Sequence, residues 1–477
     1  MIPLTLALLA RATGGQVVGP ADSDRVVVDG PVVTDSRAVG PGGLYVARVG
    51  ERADGHAFVG AARAAGAVAA LTSQVVPESA ELPCIVVEDV QTAFGAIARA
   101  VLDEAGADGF GPVVIGVTGS SGKTSTKDLL AQILGRAGEA VAPVNSLNGE
   151  IGVPLTVCRI TPATRFLIVE MGARGVGHIR YLTHIAPPRI GVVLNVGTAH
   201  VGEFGSRDAI ATAKGELVEA LPPAGLAVLN ADDPAVAAMA ARTRARVVLV
   251  GEAADADVRA TDVRLDHQGR AEFTLVTPVG SADVRLALHG RHHVGNALAV
   301  VAVALECGMP LAAVVDALES SVPVSRWRME VTERPDGVTV VNDAYNANPD
   351  SMTAALSALA AMSRPPGRER RRSMAVLGEM LELGPDARAA HEAVGAEVAA
   401  QEIDVLVTVG PGAEAIADGA LARDAVHPQT HRASDADAAY VLLQEKLRPG
   451  DVVLFKSSNA AGLRWLGERV AAMEVTR

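Results

Sequence analysis

The residues best suited to chemistry lie together at 119–125. The apolar run PVVIGVT (112–118) leads into Gly119-Ser120-Ser121-Gly122-Lys123-Thr124-Ser125. A helix is predicted to follow, with Leu129, Leu130, Ile133 and Leu134 on one face and Gly135 and Gly138 ending it. Strand, glycine loop, lysine, hydroxyl and helix is the arrangement that binds nucleotide phosphates. Glycines let backbone N–H groups approach the phosphates, and the helix N-terminus favours negative charge. Lys123 would neutralise that charge and Thr124 could reach Mg²⁺. The strict G-x-x-x-x-G-K-[ST] pattern is not met, because its first position falls on Val117 rather than Gly116. An ordinary glycine turn is the plain alternative, but the strand before and the helix after both favour a phosphate loop.

Two further polar residues sit where strands of the same segment are predicted to end. Glu170 closes FLIVE (166–170), and His200 lies in NVGTAHVGEFGS (195–206). Ligands of open parallel sheets collect at the carboxyl ends of strands, where the phosphate loop also emerges. A carboxylate oxygen suits Mg²⁺, with an imidazole nearby. Read alone, each fits equally a solvated strand end or a loop histidine. Lysine usage adds another clue. Of 42 basic residues only five are lysines, at 123, 127, 214, 446 and 456. A lysine retained where arginine is so favoured can do what a guanidinium cannot, such as lose its proton. Lys214, in RDAIATAKGELVEAL (207–221), fits that reading or that of a surface helix lysine.

The elements that must position these groups follow a repeated pattern. Short Val- and Ile-rich runs alternate with Ala-rich helical stretches, among them PVVIGVT, FLIVE, IGVVLN (190–195), LAVLN (226–230), MAVLG (374–378) and DVLVTVG (404–410). Near-continuous apolar strands between helices predict an α/β protein whose parallel sheets are covered on both faces. Breaks at DEAGADGFGP (103–112) and near Ser321-Val322-Pro323 divide the 477 residues into 1–109, 110–322 and 323–477. The apolar stretch 294–318 is interrupted by Glu306 and Pro310. It reads as two buried helices, too short to cross a membrane. The basic run SRPPGRERRRS (363–373) lacks aromatics and reads as a solvated connecting loop. A net charge of −13 argues against nucleic acid as the main partner. The three separated cysteines predict neither disulfides nor a thiolate metal site, which fits a reducing compartment. The start MIPLTLALLA has no basic n-region or cleavage site, so a cytoplasmic location is expected, and nothing demands an oligomer.

At this point longer motifs resemble a known family. TGSSGKTSTK (118–127), VEMGARGVGHI (169–179), NVGTAHVGEFGS and AKGELVEAL (213–221) look like the central domain of the Mur ligases. VTDSRAVGPGGLYVARVGERADGHAFVGAARAAGA (33–67) resembles their uridine-nucleotide-binding domain, and NSLNGEIGVPLT (145–156) the substrate-facing segment. GRHHVGNALAVVAVAL (290–305), SRWRMEV (325–331) and NDAYNANPDSM (342–352) resemble the ATP-contacting and hinge segments. Within the family, DAYNANPDSM and LGEMLELG (377–384) are similar to the branch that adds D-alanyl-D-alanine.

The resemblance implies a three-domain α/β protein. It has a smaller N-terminal α/β domain, a central phosphate-loop domain with a mostly parallel sheet between helices, and a C-terminal Rossmann-like domain. It implies ATP and two Mg²⁺ ions, with UDP-N-acetylmuramoyl-tripeptide and D-alanyl-D-alanine as substrates and no membrane insertion. Carried over by position, Ser36 and Arg37 go to the uridine-nucleotide site, and Asn145 and Asn148 to the substrate segment. Loop 119–125 goes to the ATP phosphates, with Thr124, Glu170, His200 and Lys214 around the metal. Asn296, Arg326, Asp343, Tyr345 and Asn346 would meet the adenine nucleotide. For Lys214 the family implies a carbamate, formed from its neutral amine and CO₂. The tail FKSSNAAGLRWLGE (455–468) departs from the family's KGSR-like segment, so Lys456 receives no role. The implied chemistry is a peptide carboxylate activated as an acyl phosphate and captured by an amine, with Lys123, Mg²⁺ and Arg326 supplying charge at the transferring phosphoryl group. A folylpolyglutamate synthase shares the central and C-terminal plan but lacks the segment 1–109 with TDSR and GERADGH. A catalytically silent nucleotide-binding protein is the non-enzyme alternative.

Overall fold

The Val- and Ile-rich runs form strands and the Ala-rich stretches between them form helices, in a computed structural model that describes residues 1–50, 53–197, 201–422 and 427–473. Three main sheets follow one another along the chain. The first has five strands in the order Gln16–Val18, Cys84–Val86, Ala67–Thr72, Gly43–Val46 and Val32–Val33. The second has nine, with Val113–Thr118 between Ile190–Val193 and Thr164–Glu170. The third has six, with Val452–Lys456 between Thr339–Asn342 and Ser373–Leu377. The sheets are mostly parallel with helices between strands, as the apolar runs require.

In the nine-stranded sheet, Ile168 lies opposite Ile115, and Ile115 opposite Ile190. One apolar layer on that face holds Ile115, Ile168, Leu130 and Leu298. The other face, with Val114, Val169 and Leu217, joins the core of the first sheet without a break. The bridge is the helix Val90–Ala105, capped by Asp89 and burying Phe94, Ile97, Ala98 and Val101. Burial of Phe94, Ile97 and Val101 contributes about 1.5–3 kcal/mol each. The sheet's far edge departs from the parallel expectation. Val258–Leu265, Arg270–Thr277 and Gly280–His289 pair antiparallel, with one buried face and one wetter face.

The stretch 294–318 forms His293–Glu306 and Leu311–Glu319, broken at the expected place. The first helix is buried almost all round. The second is buried along one side only, at Val314, Ala317 and Leu318. No helix among the described residues is long and apolar enough to cross a membrane. The run 363–373 is more than a solvated loop. Arg364 reaches the carbonyls of Gln401 and Glu402, Arg370 pairs with Asp404, Arg371 reaches Gly450 O, and Arg372 pairs with Asp451. These arginines staple together the starts of inner strands of the third sheet. Cys84 and Cys158 are buried and Cys307 half-buried, all three free; burial pushes the Cys158 thiol up to about 12.

Candidate active site

The strand Val113–Thr118 lies inside its sheet between two parallel neighbours, so the loop after it opens at the carboxyl edge. Gly122 has a left-handed backbone (φ 80°), and a Cβ there would lie 2.6 Å from Asn296 Oδ1. Only glycine fits. The loop is pinned from the neighbouring strand end, because Ser120 N and Ser121 N both donate to Asn195 Oδ1 at 2.9 Å. The helix Lys123–Leu134 then starts with its N-terminus toward the cavity. Lys123 Nζ folds back to donate to Gly119 O at 2.7 Å. Burial lowers its pKa, Glu170 opposes that, and Arg328 adds to the lowering.

Glu170, the last residue of its strand, is fully buried. Its Oε2 accepts from Thr124 Oγ1 at 3.1 Å. Its Oε1 accepts from Ser146 Oγ and Asn148 Nδ2, both at 2.8 Å. It is therefore not a solvated strand end. The segment bearing Ser146 and Asn148 is fastened by buried Lys127, whose amine donates to Pro143 O at 2.8 Å. Asn145 departs from expectation. It adopts a left-handed backbone (φ 54°), is exposed, and does not line the cavity.

Lys214 lies on the helix Arg207–Glu219, capped by Ser206. It is 5% exposed and faces the cavity, which overturns the surface-lysine alternative. Burial, with the Lys123 ammonium nearby, holds its amine well below the usual lysine range. His200 lies outside the described residues.

The opposite wall comes from the C-terminal sheet. Asp343, Tyr345, Asn346, Arg328 and Lys456 line the same cavity of about 810 Å³ as the phosphate loop, Glu170, Lys214 and Asn296. Lys456 Nζ lies 2.5 Å from Asp343 Oδ2 and 3.1 Å from Asn346 O. Arg328 stacks 4.3 Å from the centre of the Tyr345 ring and reaches within 3.4 Å of Thr124 Oγ1. Arg326, expected here, is exposed outside the cavity and paired with Glu468. The backbone turns between the two arginines, and the guanidinium of Arg328, two residues on, lines the cavity instead. Ser36 and Arg37 lie away from the cavity in the first domain's sheet region. Arg37 is exposed and holds the Asp35 carboxyl down to about 2.

Comparison with known proteins follows the same layout. The Mur ligase middle domain matches residues 117–304, the Mur ligase glutamate ligase domain 327–459, and the Mur ligase family catalytic domain 31–101. A UDP-N-acetylmuramoyl-tripeptide–D-alanyl-D-alanine ligase of Mycobacterium bovis is 49% identical, over 99% of this chain and 98% of that protein. The chain belongs to the Mur ligase family. The ligase of the same name from Escherichia coli is 38% identical over 87% of this chain and 88% of its own. Among solved structures, MurF from Acinetobacter baumannii superposes with a TM-score of 0.86 at 31% identity, covering 99% of both chains. MurF ligase from Thermotoga maritima in complex with ADP gives 0.79 at 28% identity, covering 93% of this chain and 98% of that one.

Four residues that line this Mur ligase's cavity escaped the sequence reading. Ser146 sits inside a quoted motif, and its hydroxyl between two asparagines was the available signal. Asn195 opens another and carried no charge to draw notice. Arg328 lies two residues from the arginine chosen. Lys456 is one of the five lysines, and scarcity alone pointed to it. Three of those five, Lys123, Lys214 and Lys456, line this same cavity.

Proposed function

We propose that this Mur ligase joins D-alanyl-D-alanine to UDP-N-acetylmuramoyl-tripeptide, converting ATP to ADP and phosphate. The observation that carries the reading is a single cavity walled by a phosphate loop on one sheet and by Arg328, Asp343 and Lys456 on another. Full-length similarity to ligases of that name supplies the substrates. An oxygen of the tripeptide's terminal carboxylate attacks the γ-phosphorus, and ADP leaves. The dipeptide amine then attacks the carbonyl of the acyl phosphate. Inorganic phosphate departs from the tetrahedral intermediate, and the amine loses a proton. Lys123 and Arg328 spread positive charge over the transferring phosphoryl group, where the protein's contribution is positioning and charge stabilisation. The three parts 1–109, 110–322 and 323–477 would hold the uridine nucleotide, ATP and the dipeptide. Ser36 and Arg37 serve the first, and Asn296, Asp343, Tyr345 and Asn346 contact the adenine nucleotide. Asn148 faces the peptide while steadying Glu170. Enclosure between the sheets would keep water from the acyl phosphate.

The donors beside the loop suit magnesium. Thr124 and Glu170 are hard oxygen ligands, close together and buried. Among the described residues no cluster of three His, Cys, Asp or Glu could hold a metal. Thr124, Glu170 and Lys214 as its carbamate would hold the ions through oxygen, the donor type that Mg²⁺ takes. Bound there, Mg²⁺ supplies charge neutralisation to the phosphates.

A folylpolyglutamate synthase from Mycobacterium tuberculosis shares the fold at 18% identity and a TM-score of 0.60, which speaks to architecture alone. The family match at 31–101 favours the cell-wall ligase. The test is ADP release with UDP-N-acetylmuramoyl-tripeptide, with and without D-alanyl-D-alanine. Turnover should need both, and single amino acids should substitute poorly. Equal turnover with glutamate and a folate would move the assignment, and no turnover with any substrate would leave a silent binder.

A further inference from the structure

Arg328 is flanked by two residues with left-handed backbone, Trp327 (φ 58°) and Met329 (φ 50°). Bulky side chains rarely adopt that conformation, and it persists only where the surroundings over-determine it. Here they do. Trp327 N donates to Glu330 Oε2 and Met329 N to Asp343 Oδ1, both at 3.0 Å. The Trp327 indole Nε1 donates to Glu468 Oε1 at 2.8 Å, and Arg326 pairs with the same carboxylate. Arg326 and Arg464 lie 5.0 and 5.2 Å from the Trp327 ring, and Trp465 meets it edge-on at 5.1 Å. Both tryptophans of the protein are thus spent on one cluster, and neither lines the cavity. Ligand contact does not explain them. What the cluster holds is the turn that sends Arg328 across Tyr345 toward Thr124.

We propose that Trp327 and Glu468 are a positioning pair that aims Arg328 at the transferring phosphate, so that the last helix, Leu463–Ala471, governs the placement of that cation. The inference rests on reading Arg328 as a phosphate-facing cation. It goes beyond that reading by assigning work to two residues outside the cavity. Misplacing a catalytic group by an ångström from a distance is enough to slow a reaction strongly.

The test is a double-mutant cycle on kcat and on KM for ATP. Arg328→Ala should lose about a hundredfold in kcat. Trp327→Phe, which keeps a ring but removes the N–H, should lose about tenfold in kcat in the native background and almost nothing beside Arg328→Ala. Glu468→Ala should behave likewise, and Glu468→Gln, which keeps an acceptor oxygen, should retain more activity than Glu468→Ala. Equal losses from Trp327→Phe with and without Arg328 would mean packing alone and overturn the pair. So would an unchanged Trp327→Phe or an unchanged Glu468→Ala. Should Trp327→Phe fail to fold, the Glu468 variants decide by the same comparison. A fully active Arg328→Ala would instead sink the reading of Arg328 itself, and the pair with it.

Discussion

The hydroxyl of Thr124 lies 3.1 Å from Glu170 Oε2, joining the first turn of the phosphate-loop helix to the end of the neighbouring strand. Parallel pairing of Thr164–Glu170 with Val113–Thr118 makes this contact, since Glu170 sits opposite Val117 at the same sheet edge. Glu170→Gln keeps the size and one acceptor but removes the charge that suits a hard cation. Turnover should fall on the order of a hundredfold, and the Mg²⁺ concentration for half-maximal rate should rise. An unchanged Mg²⁺ dependence would remove Glu170 from the metal site.

Lys123 is held by one carbonyl and faces a cavity rather than a core. Lys123→Ala should abolish turnover, by on the order of a hundredfold or more, while thermal unfolding stays near that of the native chain. Near-normal turnover in this variant contradicts the phosphate loop.

Ser36→Ala and Arg37→Ala should weaken uridine-nucleotide binding and leave ATP affinity almost untouched. Arg37 is spent on Asp35 in the structure, so binding the nucleotide would have to compete with that exposed pair. Calorimetric titration with each nucleotide separately checks this, and a loss confined to ATP would reverse the domain roles.

Lys214 faces the cavity with its amine held well below the ordinary lysine range, burial being the main cause. A neutral amine can react with CO₂ to give a carbamate, whose oxygens suit Mg²⁺; an arginine cannot. Lys214→Arg should therefore fail as badly as Lys214→Ala, and a small carboxylic acid should partly restore the alanine variant. The sign with pH follows from the lowered pKa. The amine is neutral above it and gains a proton as pH falls through it, so the carbamate and the activity it supports should be lost on the acid side. Removing dissolved CO₂ at constant pH should lower the rate, and bicarbonate should restore it. A Lys214→Arg variant with most of its activity would mean that positive charge was what mattered.

Contiguous features were legible in the sequence. The phosphate loop needs only a strand, two glycines, a lysine and a helix in succession, so its pattern is local even though Asn195 pins its backbone from far along the chain. The parallel sheets were legible for a similar reason, because a strand buried on both faces must be apolar throughout. The antiparallel edge at 258–289 was missed, since its half-buried strands alternate and give no continuous run. The choice between Arg326 and Arg328 could not be read from composition or order. It is made by left-handed backbone at Trp327 and Met329, held by Asp343, 14 residues on from Met329, and by Glu468, 141 residues on from Trp327. Lys456 and Asp343 are 113 residues apart, and they meet because their strands pair in parallel with Asn342 opposite Phe455. Sequence determined which chemical groups this protein possesses and which segments present them at strand ends. Tertiary structure decided which of those groups face one another, because register and turn handedness are set by contacts between segments far apart in the chain.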